Sequence, residues 1–141
     1  MDYRSHAIDE LQKYASDITA VKLIAEKLQD IEARMVSVGG GGTTPNRGGG
    51  NKTEEKWLNL LANAADEEMR LKEVKKRIKR VETALKALST DDARILKLIY
   101  VEERRMEQVA SAMHTSRATA YRMRDDALIR FTRSLYGAVV T

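Results

Sequence analysis

The side chains best placed to do chemistry lie between Met106 and Phe131, and their chemistry is recognition rather than bond making. Ser116, Arg117, Ala118, Thr119, Tyr121 and Arg122 follow a break in the apolar pattern at His114-Thr115. Ser116 carries an oxygen that can accept from the first free amides of a helix. Beyond it, Ala120, Met123, Ala127 and Phe131 share one face at the spacing of about 3.6 residues per turn, and Ala118, Tyr121, Arg122 and Asp125 share the other. Met106, Val109, Ala110 and Met113 mark a shorter amphipathic helix just ahead. Two short helices joined by a tight turn, the second basic at its front, predict a helix-turn-helix whose second helix, residues 117–131, enters the major groove of double-stranded DNA.

Each residue has an expected role. Arg122 is the candidate base contact, because a guanidinium can donate two hydrogen bonds to guanine. Ser116, Arg117, Thr119 and Tyr121 sit where phosphates pass the helix N-terminus. Arg122 has a competing use as a surface partner of Asp125 or Asp126. Arg124 lies nearer the buried face and suits an ion pair with Glu103 or Glu107. Arg130 and Arg133 are expected to be solvated or to touch phosphate occasionally.

Catalysis is not expected. His6 and His114 are far apart in sequence with no ligand spacing around them, and the carboxylates scatter along helical faces. Asp91-Asp92 reads as a helix cap and Asp125-Asp126 as a surface pair. No catalytic residue, metal site or cofactor is predicted. The segment Gly48-Gly49-Gly50-Asn51-Lys52-Thr53 superficially resembles the end of a phosphate-binding loop, but Asn51 stands where the last glycine belongs and no strand precedes it. Asn51-Lys52-Thr53 also has the form of a glycosylation acceptor, without consequence if the chain is not secreted.

Helices must position the basic front. Of 141 residues, 33% are charged, 43% hydrophobic and only 5% aromatic, with a single Pro, a balance that favours an all-α protein. The net charge of +4 is compatible with nucleic acid without requiring it. There is no Cys, hence no disulfide framework, and no apolar run approaches the roughly 20 residues that span a bilayer. With no secretory signal in view, a cytoplasmic location and no membrane partner are expected.

A first long helix is predicted over residues 4–37. Ala7, Leu11, Tyr14, Ile18, Val21, Ala25, Leu28 and Met35 recur in steps of three and four, with Glu32 the polar member and Ile8, Ala15, Ile24 and Ile31 broadening the stripe. Residues 37–52 hold nearly all the glycines and the only Pro, and read as a flexible connector. A second long helix, capped by Thr53, is predicted to reach Leu88. Trp57, Leu60, Ala64, Leu71, Val74, Ile78, Val81, Leu85 and Leu88 keep heptad positions, interrupted by Glu67. Two such helices satisfy each other as a coiled-coil-like antiparallel hairpin, closed within one chain or between the chains of a homodimer. The basic run Lys72, Lys75, Lys76, Arg77, Lys79 and Arg80 reads as a solvated face, with phosphate contact as the alternative. Ser89-Thr90-Asp91-Asp92 then breaks the heptads and caps a third helix carrying Ile95, Leu96, Ile99 and Tyr100. The expected division is therefore residues 1–88, a helical hairpin, and residues 89–141, a helix-turn-helix domain.

From Leu88 to Gly137 the order of pieces carries a resemblance. Leu88-Ser89, Asp92-Ala93-Arg94-Ile95-Leu96-Lys97-Leu98-Ile99-Tyr100, Met106-Glu107-Gln108-Val109-Ala110, Ser116-Arg117-Ala118-Thr119-Ala120-Tyr121-Arg122-Met123-Arg124 and Ala127-Leu128 resemble region 4 of bacterial sigma factors, which reads the −35 promoter element. The whole chain is similar to ArpU-like phage regulators of late gene transcription, where a helical part with a Gly-rich insertion precedes such a domain. Two positions depart from that pattern: His114 replaces the usual turn glycine, and Ala120 stands where a larger branched residue is common. The resemblance implies a phage or prophage transcription activator in a bacterial host cell that binds DNA, RNA polymerase or both. Its alternatives are a coiled-coil adaptor binding polymerase through the sigma-like domain, and a DNA-packaging recognition subunit.

Overall fold

Asp2 starts the first helix. Its carboxylate accepts from the backbone amides of Arg4 (3.1 Å) and Ser5 (3.2 Å) and from the Ser5 hydroxyl, satisfying donors that a helix N-terminus leaves open. These bonds, the Ser5 hydroxyl first, hold the Asp2 carboxyl below the usual carboxylate range. The computed structural model describes residues 2–39 and 51–137. Across them the chain is all-α, in the order α1 (Tyr3–Gly39), α2 (Asn51–Lys86), α3 (Thr90–Leu96), a π-helical turn (Lys97–Val101), α4 (Met106–Ala112) and α5 (Arg117–Tyr136). Most of the Gly-rich connector, and with it the three glycines of the loop-like Gly48–Thr53 segment, lies outside the described residues. Helix α2 begins at Asn51, so Thr53 is an interior residue and not the expected cap.

Two compact units make up the chain, residues 1–18 with 76–141 and residues 19–75. In each, α1 and α2 run antiparallel. In the first unit Glu82 accepts from the Tyr14 hydroxyl at 3.2 Å, and Arg77 donates to both carboxylate oxygens of Asp17 at 3.0 and 3.1 Å. In the second, Lys27 pairs with Glu67 at 2.8 Å. The seams thus meet within one chain.

The seam of α1 differs from the expected one by a residue along part of its length. Asp17, Ile24 and Ile31 are buried, while Ile18 is 37% exposed and Glu32 faces water. The physical reason is apolar area: turning Ile24 and Ile31 inward removes more of it from water than Ala25 could, and leaves the Glu32 charge solvated. The cost is a carboxylate at position 17, offset by the two bonds from Arg77. Helix α2 keeps the expected heptads, with Glu67, Val74, Val81 and Leu85 buried. Glu67 receives Lys27 and, at 3.2 Å, Arg70 on the same oxygen, which draws its pKa down; among the described residues its other oxygen is buried without a partner.

The core of the first unit is shared by every helix that enters it. Ala7, Leu11 and Tyr14 of α1 and Val81, Ala84 and Leu85 of α2 pack with Ile95 and Leu96 of α3, Val109 of α4, and Ala127, Leu128 and Phe131 of α5. Phe131, Leu11, Ile95 and Leu96 are fully enclosed, each worth about 1.5–3 kcal/mol of apolar burial. The far end of α5 is tied to the long helices: Ser134 donates to the Ala84 carbonyl at 3.2 Å, and the Tyr136 ring lies 5.5 Å from that of Tyr3. Gly137 ends α5 in a left-handed conformation, at φ 64°.

Candidate nucleic-acid interface

Helix α3 begins where Ser89 accepts from the amide of Asp92 at 3.2 Å, so Ser89 is the cap and the Asp91-Asp92 pair is not. Asp92 instead turns inward and is buried. Arg130 donates to both its oxygens at 2.5 and 2.9 Å, which corrects the expectation that Arg130 is solvated. Sequence offered no signal for this pair, since its members lie 38 positions apart and meet only because α3 packs across α5. Arg130 foremost, and Ser89 after it, holds the Asp92 carboxyl below its ordinary value against the opposing effect of burial.

The π-helical turn ends at a second feature that periodicity does not reveal. Glu103 takes a left-handed backbone, φ 53°, and the Arg104 amide closes onto the Leu98 carbonyl at 2.9 Å. Helix α4 then opens with the Arg105 amide donating to the Gln108 side chain at 3.3 Å.

The turn between α4 and α5 is built by hydrogen bonds. Thr115 donates to the Ala110 carbonyl (2.9 Å) and His114 to that of Ser111 (3.2 Å), the paired closure that ends a helix with a left-handed residue between. That residue is His114, at φ 55°. A glycine would sit there without strain, whereas a side chain in this region costs about 1–2 kcal/mol. Ser116 follows in extended conformation and caps α5 by accepting from the Thr119 amide at 3.2 Å, while its hydroxyl donates to the Thr119 hydroxyl at 2.9 Å.

Helix α5 divides as its periodicity predicts. Ala120, Ala127 and Phe131 are fully buried and Met123 is partly so. Ser116, Arg117, Ala118, Thr119, Tyr121 and Arg122 are all exposed, gathered on the first turn and a half. No acidic residue occupies that first turn, so the positive end of the helix dipole and two guanidinium groups act together on an approaching anion. The amides of Arg117 and Ala118, the first two of the helix, have no helical acceptor and can donate to phosphate oxygens.

Arg122 has no ion-pair partner among the described residues, and its surface pairing with Asp125 does not form. Asp125 is taken by others: Arg124 donates to it at 2.9 and 3.1 Å, and Arg4 of α1 at 2.6 Å. The expected partners of Arg124, Glu103 and Glu107, are thus replaced by its own neighbour. Its guanidinium also lies 5.0 Å from the centre of the Tyr121 ring, holding that ring on the outer face. Arg117 meets Glu107 only at 4.0 Å with both side chains largely in water, an attachment a phosphate can displace at little cost. Of the basic run in α2, Arg77 and Arg80 are held by Asp17 and, at 3.5 Å, by Glu10, and Lys72, Lys75, Lys76 and Lys79 are exposed.

Among the described residues no helix is long and apolar enough to cross a membrane. No curated protein and no solved structure matches the chain. A family match does exist, over residues 35–131, which takes in α2 and every element through the inward-facing Phe131, and the chain belongs to that family, described as a protein of unknown function (DUF1492).

Proposed function

We propose that the chain is a sequence-specific DNA-binding regulator of transcription that inserts α5 into the major groove of double-stranded DNA. The observation that carries this reading is the division of α5: an apolar face locked into the core, and an exposed N-terminal surface holding an unpaired Arg122, a loosely held Arg117 and free helix amides behind a tight turn. Arg122 reads a base edge, while Arg117, Thr119, Tyr121 and the first amides of the helix contact phosphate and fix the register.

The resemblance of residues 88–137 to sigma region 4, and of the chain's layout to ArpU-like regulators, supports a finer version of the same reading. On that version the protein activates late genes of a phage or prophage in the cytoplasm of a bacterial host, beside RNA polymerase at a promoter. Duplex binding followed by fluorescence anisotropy at two salt concentrations tests the core of it. Arg117→Ala should weaken all duplexes alike and lower the salt slope by about 1, and Arg122→Ala should cost about 1–3 kcal/mol at one base position. Failure of the wild-type chain to bind duplex DNA would move the function to polymerase as an adaptor; binding without base preference would favour a packaging role.

A further inference from the structure

Helix α2 is apolar on two faces over the part that lies in the second unit. The inner face carries Trp57, Leu60, Ala64 and Leu71 toward α1, all partly or fully covered. Opposite them run Leu58, Leu61, Ala62, Ala65 and Met69, which at about 100° per residue fall within about 60° of one line along the helix. All are exposed: Leu58 is 52%, Leu61 45% and Met69 70% open to solvent. Isolated apolar side chains on a surface are ordinary, but a continuous line of them along one helix face marks a contact surface.

The charges at its two ends say what covers it. Glu54 and Glu55 lie at the N-terminal end of the line and Lys72 at the C-terminal end, all exposed, and Glu55 and Lys72 have no ion-pair partner among the described residues. We propose that this outer face of α2 is a self-association surface on which a second copy of the chain docks antiparallel. A twofold axis midway along the line sets Leu58 against Met69 of the second copy, Ala62 against its Ala65, and Glu55 beside its Lys72. The small alanines at the axis let the two helices approach closely. Parallel docking would instead set Glu55 against Glu55 and Lys72 against Lys72. The heptad seams are already consumed within one chain, so a dimer must use another surface, and this face offers a continuous apolar one. Five short and medium side chains per copy make a contact smaller than that of a permanent dimer, so the association is reversible and depends on concentration. The inference stands apart from the DNA reading, since no residue of the α5 surface takes part.

The test is the mass of the full chain by sedimentation velocity, from about 1 to about 200 µM. The wild type should pass from monomer to dimer as concentration rises. Leu61→Glu and Met69→Glu, both at exposed positions and checked for unchanged helicity, should stay monomeric throughout. Glu55→Lys should weaken the dimer at least several-fold, and combining it with Lys72→Glu should restore it. A wild type that is monomeric throughout would overturn the proposal, as would a dimer indifferent to Leu61→Glu and Met69→Glu. A dimer unaffected by Glu55→Lys, or one that Lys72→Glu does not restore, would refute the antiparallel arrangement.

Discussion

Breaking the bond between Arg130 and Asp92 tests how α5 is held against α3. Arg130 makes two charge-assisted hydrogen bonds to a carboxylate that is 12% exposed, while its own side chain is 52% exposed. Hydrogen bonds to charged groups are worth about 1.5–3 kcal/mol each when enclosed, and the water around half of the guanidinium cuts the pair to a coupling of about 1–2 kcal/mol. Arg130→Ala should cost somewhat more than that coupling, about 2–3 kcal/mol, because it leaves a buried carboxylate with too few donors. The assay is urea unfolding of the wild type, Arg130→Ala, Asp92→Asn and the double variant. Acid supplies a second reading. The folded chain holds the Asp92 pKa below its ordinary 3.8, chiefly through Arg130, so the stabilisation is complete above that value and is lost as pH falls through the lowered one. A coupling under about 0.3 kcal/mol near neutral pH, or one that survives in strong acid, would refute the assignment of this pair as the tie between the helices.

Three further outcomes follow from the packing. His114→Gly should stabilise the chain by about 0.5–1 kcal/mol, the left-handed strain relieved less the backbone freedom glycine gains when unfolded, read as a rise in thermal midpoint; a fall would show that the His114 side chain contributes something the turn geometry does not explain. Phe131→Ala should cost about 3–5 kcal/mol by leaving a cavity at a fully enclosed site, and a loss under 1 kcal/mol would mean the core is not packed there as described. A fragment of residues 89–141 should lack a cooperative thermal transition, because Ala7, Leu11, Tyr14, Val81 and Leu85 line the same core; a sharp melt at the midpoint of the whole chain would contradict that.

What could be read from sequence was what depends on near neighbours. The Ser116 cap, the break at His114-Thr115 and the inward set Ala120, Met123, Ala127 and Phe131 are each decided within one or two turns of helix, where residue type and period act directly. The exposed surface from Ser116 to Arg122 follows as the complement of that inward set. Contacts that need the assembled fold escaped. Arg130 looks like any surface arginine until α3 crosses α5 and brings Asp92 to it from 38 positions away, and Asp125 receives Arg4 from 121 positions away. The α1 seam shifted because a strict heptad count cannot weigh Asp17 with its distant Arg77 against an exposed Ile18. Glu103 and the π-helical turn left no trace in the apolar spacing at all.

The central claim, that α5 reads base sequence, is tested most directly by selecting bound duplexes from a random pool with the purified full chain at two salt concentrations. The account predicts an enriched motif that persists as salt rises and loses preference at one position in Arg122→Ala. A pool that remains random, with binding that fades steeply as salt rises, would contradict it.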